Sequence, residues 1–251
     1  MTVSSELDLK PSAQHTWIFP ELPSSLWQEA LNIEKATAAT VRLPDDYDPE
    51  REYPLLLFMG GAQGDNGHHV RGAQRITGPK GFICLSLPLF LEDLEPLDED
   101  KSNKWNRLYI APEQGAYIWQ AWEPMLKRVF GAIPNIDRKH CFISGFSNGA
   151  NAAAAVLLDD DTRPGLLTYF THVVFIEGGH RIRPVSGLEE LTFLLVQGDQ
   201  KSSLERVAAR LEEGGGIDVT LRTMADTGHS FPDTEKAWVH DWVEQQCGPR
   251  E

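Results

Sequence analysis

Short apolar runs punctuate the chain at residues 54–59, 82–87, 140–144, 172–176, 192–196 and 219–223, each bounded by turn-forming residues and separated by longer helix-forming or polar stretches. This alternation constrains the fold most. A strand buried on both faces reads as a continuous apolar run, and a parallel partner can be reached only by a crossover, usually helical. A mainly parallel sheet with helices on both faces is therefore expected. Residues 38–43 read as an earlier strand, and Pro44-Asp45-Asp46-Tyr47-Asp48-Pro49 as the turn before the first central strand. Helices are expected near residues 117–130, 148–158, 203–213 and 234–246. At 251 residues the chain can bury one substantial core. The expectation is a single α/β domain over 1–251, with 1–37 as an N-terminal extension and 88–114 as an irregular segment and candidate cover loop.

One strand ends in Gly145-Phe146-Ser147-Asn148-Gly149, a G-x-S-x-G pentapeptide that follows Cys141-Phe142-Ile143 and precedes an alanine-rich helical stretch. Between a strand and a helix, this pattern holds a serine in a strained turn with its hydroxyl above the sheet edge. A serine hydroxyl is a poor nucleophile at neutral pH. It needs a histidine within hydrogen-bond reach and an acid to orient that histidine.

Among eight histidines, His229 has the best context, in Asp226-Thr227-Gly228-His229-Ser230, a turn-rich segment after one strand and before the last helix. His180, in Glu177-Gly178-Gly179-His180, is its competitor at another strand end. Asp199 is the expected acid, because the strand at 192–196 breaks at Gly198 and leaves a carboxylate at its tip. It also completes the order nucleophile, acid, histidine that accompanies such an elbow. Asp226 is the reserve candidate. The oxyanion of an acyl-transfer intermediate needs N–H donors. Asn148, next after the nucleophile, and Gly61, in the glycine-rich loop after the first central strand, are the expected pair, with Ala62 as the alternative to Gly61. That loop has neither the Walker ending nor G-x-G-x-x-G spacing, which argues against a phosphate site.

Composition excludes other classes. With 23 Lys plus Arg against 37 Asp plus Glu, the formal charge is -14, a poor match for nucleic-acid phosphates or anionic membranes. Cys84, Cys141 and Cys247 form no C-x-x-C pair, so no zinc ribbon or redox motif is expected. Asp65, His68 and His69 do not suggest a metal site, since adjacent histidines on an extended segment point apart. The first eight residues lack a signal-peptide pattern and nothing approaches a transmembrane span, so a cytoplasmic location is expected. Trp105, Tyr109, Tyr117, Trp119 and Trp122 either wall a pocket or belong to the next helix's core.

Taken together, Val41-Arg42-Leu43-Pro44-Asp45-Asp46-Tyr47-Asp48, residues 53–61, 137–150, Gly198-Asp199 and Gly228-His229 resemble the α/β-hydrolase superfamily. Within it they look similar to small bacterial esterases of the phospholipase/carboxylesterase, feruloyl-esterase and polyhydroxybutyrate-depolymerase-like groups. The resemblance spans about residues 38–243. It implies an eight-stranded, mostly parallel sheet, no cofactor, and hydrolysis of a small-molecule carboxylic ester through an acyl-enzyme. One departure is Met59-Gly60, where such esterases usually carry His-Gly; the backbone donor belongs to the following glycine and survives the replacement. A peptidase or acyltransferase would use the same residues, and a non-catalytic binding module on the same fold is the reading that Met59 favours.

Overall fold

A computed structural model of the chain describes residues 7–92, 108–200 and 203–249. Most of the irregular segment 88–114, including Trp105, lies outside the described residues.

Eight strands form one sheet in the order β1-β2-β4-β3-β5-β6-β7-β8. They are β1 (Gln14–Ile18), β2 (Ala38–Arg42), β3 (Tyr53–Met59), β4 (Ile83–Ser86), β5 (Ile136–Phe146), β6 (His172–Ile176), β7 (Thr192–Gly198) and β8 (Asp218–Met224). From β4 to β8 every neighbouring pair is parallel, whereas β1 and β2 run antiparallel at one edge. The 1–37 segment thus contributes more than an extension: β1 pairs with β2 along its whole length.

The helices of the described residues are α1 (Leu26–Leu31), α2 (Arg71–Thr77), α3 (Gly115–Ala132), α4 (Asn148–Leu158), α5 (Arg163–Leu167), α6 (Leu204–Gly215) and α7 (Asp233–Cys247). Side chains alternate across the sheet, as a two-residue period demands. Leu55, Leu57, Ile143, Val173, Phe175 and Leu195 join the layer made with α3, α4, α5 and α6. Leu56, Phe142, Val174, Ile176 and Val196 join the opposite layer, with α2 and α7. In α3 the buried Ile118, Trp119, Trp122, Met125, Leu126 and Val129 recur at helical spacing. Two of the aromatic residues in question are therefore core, and the Trp122 indole N–H donates to the Pro88 carbonyl at 2.9 Å.

This topology positions a site. The helix after β3 packs on one face and the helix after β5 on the other, and these two strands are neighbours. Their outgoing loops part company, and in open α/β sheets ligands bind in the crevice so created beyond the carboxyl ends of the strands.

Far from that crevice, at the start of β6, His172 stacks on Phe142 with ring centres 4.5 Å apart, 8% exposed. Burial pushes its pKa down to about 4. The ordinary imidazole value is about 6.5, so between those values the unfolded chain binds more protons and stability falls as pH is lowered. The full loss from this one residue is on the order of 3 kcal/mol. Urea unfolding at pH 7 and 4.5 is expected to show a smaller acid-induced loss in His172→Gln than in the parent.

Candidate active site

Met59 ends β3, Phe146 ends β5, Ile176 ends β6 and Gly198 ends β7, and register brings these ends to one edge of the sheet. The loops leaving them carry the candidate residues.

Ser147 stands between β5 and α4 with φ 53° and ψ −113°, outside the regions that L-residues favour. Its N–H donates to the Ile176 carbonyl at 2.7 Å, tying the turn to the neighbouring strand. The flanking glycines are required sterically. A Cβ on Gly145 would lie 2.4 Å from the Ala150 nitrogen, and one on Gly149 would lie 2.4 Å from the Met59 carbonyl oxygen. Alanines at 150 and 152–155 let α4 press closely on the sheet, all of them buried.

After β8, the chain turns through residues 225–228 and brings His229 over the sheet edge. Its Nε2 lies 2.9 Å from Ser147 Oγ. The carboxylate at its other nitrogen is Glu177, not Asp199: Nδ1 lies 3.1 Å from Glu177 Oε2. A carboxylate at Nδ1 keeps the proton on that nitrogen and leaves Nε2 to accept from the serine hydroxyl. Glu177 follows β6 directly, is 6% exposed, and takes the left-handed conformation with φ 51°. Its second oxygen accepts from the Gly198 N–H, and its own N–H donates to the Val196 carbonyl at 2.8 Å. Both carboxylate oxygens are thereby engaged, so the acid is held rigidly against β7.

The expectation that Asp199 meets His229 is thus corrected. Asp199 is exposed, and its carboxylate accepts from the N–H groups of Asp226 at 2.8 Å and Thr227 at 3.1 Å. It clamps the turn that delivers His229 without touching the imidazole. Asp226 supplies only backbone to this clamp and has φ 52°. His180 bonds through Nδ1 to Ser203 Oγ at 2.9 Å, and burial lowers its pKa. Glu177 is the residue that sequence reasoning missed. Its signal was available: a carboxylate at the tip of an apolar run, between Ser147 and His229 in chain order, followed by Gly178-Gly179.

Opposite the elbow, the loop after β3 passes close to Ser147. A Cβ on Gly61 would lie 3.2 Å from Ser147 Cβ and 2.8 Å from the Phe146 ring. Asn148 opens α4, where a first-turn N–H has no partner four residues back. Both residues line a cavity of about 630 Å³ together with Ala62, Leu108, Tyr109, Phe146, Ser147, Asn151 and His229. Met59, the departure from His-Gly, is 1% exposed and packs in the core. Tyr109 is 41% exposed and, unlike Trp119 and Trp122, is a cavity-wall residue. Asp65 accepts from the Gly67 N–H at 2.7 Å and from Ser86 Oγ at 3.2 Å, and His68 bonds the Ala36 carbonyl at 3.0 Å, so these polar groups brace the loop.

The Asn148 side chain joins three segments. Its Nδ2 donates to the Ala62 carbonyl at 2.8 Å and to the Leu108 carbonyl, and its Oδ1 accepts from the Ile110 N–H at 2.9 Å. The glycine-rich loop and the cavity wall are thus pinned to the helix that follows the serine. In Asn148→Asp the two carbonyls would face a carboxylate, at a cost of about 2–4 kcal/mol for the unsatisfied and repelling groups. Urea unfolding is expected to register that loss, with any ester turnover reduced about tenfold or more because the loop of Gly61 and Ala62 loses its tie beside Ser147.

No family model matches the chain, and no curated protein matches it in sequence. Solved structures do match in shape. A carboxylesterase from Mesorhizobium loti superposes with a TM-score of 0.57 at 17% identity, covering 93% of this chain and 99% of that one. Thermogutta terrifontis esterase 2, in a form phosphorylated by paraoxon, superposes at 0.58 with 12% identity, covering 86% and 92%. A protein described as a dipeptidyl aminopeptidase IV from Bacteroides ovatus ATCC 8483 matches 94% of this chain at 0.57 and 13% identity, but the chain spans only 35% of its length. Low identity over nearly the whole of two similarly sized chains is what a shared backbone leaves when side chains have diverged, and the protein has the α/β-hydrolase fold.

Proposed function

We propose that the protein is a serine hydrolase that cleaves a small or medium carboxylic ester through an acyl-enzyme. The observation that carries this reading is the relay from Ser147 Oγ to His229 Nε2 at 2.9 Å and from His229 Nδ1 to Glu177 Oε2 at 3.1 Å, mounted on a strained elbow. Each member has the partner its role requires. Fold neighbours that are a carboxylesterase and an esterase phosphorylated by paraoxon agree with it.

In this reaction Ser147 Oγ attacks the ester carbonyl carbon while its proton passes to His229 Nε2. Glu177 stabilises the imidazolium so formed and keeps the ring oriented. The N–H groups of Gly61 and Asn148 receive the developing oxyanion. Collapse of the tetrahedral intermediate breaks the bond to the alcohol oxygen, which takes the proton from His229 and leaves. Water, deprotonated by His229, then attacks the acyl carbonyl; expulsion of Ser147 Oγ, reprotonated by His229, releases the acid. Asp199 takes no part in proton transfer and holds the 226–227 turn.

Leu108, Tyr109 and Phe146 give the cavity apolar walls suited to a hydrocarbon or aryl arm of the ester. A fluorophosphonate probe should label Ser147, and a panel of 4-nitrophenyl esters of rising acyl length should be turned over. Absence of both would overturn the assignment. Among the described residues no helix is long and apolar enough to cross a membrane.

A further inference from the structure

Beside the cavity over Ser147 lies another, of about 520 Å³, with Tyr109 in the lining of both. One side chain thus borders the two spaces. The second has a different character. Its lining includes Glu113, Asp159, Arg181 and Arg183, where the first has apolar walls around the serine and histidine.

Arg181 and Arg183 flank Ile182, which is fully buried and anchors the segment that follows Glu177-Gly178-Gly179. Both arginines are exposed. Among the described residues neither guanidinium lies within ion-pair distance of a carboxylate, although two acids line the same cavity. Those acids stand on other elements. Asp159 ends α4 and accepts from the N–H groups of Asp161 at 3.1 Å and Thr162 at 3.0 Å, whereas Glu113 belongs to the single turn Pro112–Gln114. Among the described residues, therefore, the cavity has two arginines without a carboxylate partner and an acidic side able to accept hydrogen bonds. On a chain of net charge -14, two neighbouring cations at the edge of the Ser147 cavity run against the general field.

We propose that this second cavity is a subsite for a carboxylate carried on one arm of the substrate, bound by Arg181 and Arg183. The substrate is then an ester with an apolar arm in the first cavity and an acidic arm that passes Tyr109. A guanidinium offers paired N–H donors in the plane that a carboxylate accepts, which makes it a better partner here than an ammonium. Glu113 and Asp159, in the same lining, can accept from hydroxyl donors on that arm. This subsite rests on the serine-hydrolase reading, since it assigns the arms of an ester held at Ser147.

The test compares carboxylate esters with their neutral carboxamide analogues, placing the charge first on the acyl arm and then on the alcohol arm. For the acyl arm the pair is mono-4-nitrophenyl suberate and its ω-carboxamide; for the alcohol arm it is 6-(benzoyloxy)hexanoate and 6-(benzoyloxy)hexanamide. The readout is the ratio of kcat/KM for carboxylate over carboxamide. At low salt the ratio is expected to exceed about fivefold in one arm, the scale of an exposed charge pair, and to shrink as salt is added. In the double variant Arg181→Ala/Arg183→Ala it should fall to about one, while Arg206→Ala, an exposed arginine on α6, should retain it. A ratio near one in both arms of the parent, or a ratio unchanged in the double variant, would overturn the subsite. Turnover of the carboxamides and probe labelling of Ser147 report separately on the hydrolase reading. If both are absent, that reading fails and the subsite falls with it.

Discussion

Ser147→Ala is expected to lower kcat about 10⁵- to 10⁶-fold on any ester the protein turns over, with little change in stability. The size follows from how the site is joined. Without Oγ there is no atom to form the acyl-enzyme, and His229 and Glu177 have nothing to activate, so losing the nucleophile costs nearly as much as losing all three groups. What remains is the rate the oxyanion donors and substrate binding sustain with water as attacker. Stability should hold because, among the described residues, the hydroxyl's hydrogen bond is to His229, whereas the backbone of the elbow is tied independently through the Ser147 N–H to Ile176. Burst kinetics with 4-nitrophenyl esters and thermal unfolding of the same preparation check both halves. Hydrolysis at the parent rate in the variant would remove Ser147 from the mechanism.

Glu177→Gln and Asp199→Asn are expected to differ sharply, although both replace a carboxylate by its amide. Glu177→Gln should reduce kcat about 10³- to 10⁴-fold. The amide cannot stabilise the imidazolium, and turned with its NH₂ toward Nδ1 it favours the tautomer in which Nε2 carries the proton and cannot accept from Ser147. Asp199→Asn keeps one acceptor for the N–H groups of Asp226 and Thr227, so kcat should fall less than about tenfold and stability by about 1 kcal/mol. Measuring kcat and urea midpoints for both variants decides the matter. A large kcat loss in Asp199→Asn with near-normal turnover in Glu177→Gln would reverse the two roles.

Why Asp199 is misread as the neighbour of His229, while the Ser147–His229 contact is expected from sequence, has a physical answer. The serine elbow is largely a local device: strand, strained turn and helix are contiguous, and the glycine at 145 is needed by atoms of Gly149 and Ala150, although the one at 149 clears the Met59 and Gly60 carbonyls of a distant segment. Which carboxylate faces an imidazole is non-local. Glu177 and Asp199 both terminate apolar strands, both are followed by turns, and both lie between Ser147 and His229 in the chain. The choice depends on where the 225–228 turn sets the ring relative to adjacent strands. There Asp199 is drawn to two backbone N–H groups of the turn itself, leaving the ring's Nδ1 to Glu177, one strand closer to the serine.

The fold shows the same division. Strands β3 to β7 and helices α3, α4, α6 and α7 are legible because each buries a face or both faces, and burial imposes apolar runs or helical spacing, whereas β8 buries only Met224 and is read from its β-branched run. The edge strand β1 is less legible, since Gln14-His15-Thr16-Trp17-Ile18 alternates between exposed and half-buried positions and Ile18 is 50% exposed. The short α1 depends on a capping box between Ser25 and Gln28, and α2 and α5 are only seven and five residues long. The first residues of β5, Ile136-Asp137-Arg138-Lys139, lie across a register shift, with Ile136 opposite Tyr53, and carry too little apolar pattern to be read as strand.

The amino-acid sequence by itself determined the layered sheet and pointed to Ser147 and His229 as partners at one sheet edge, because burial pattern and contiguous turns encode these features. Only the tertiary structure decided which acid orients His229, that the Asn148 side chain fastens the cavity wall, and that Tyr109 borders two cavities rather than the core. Those are relations between segments distant in the chain, and their energies depend on distances that no local pattern specifies.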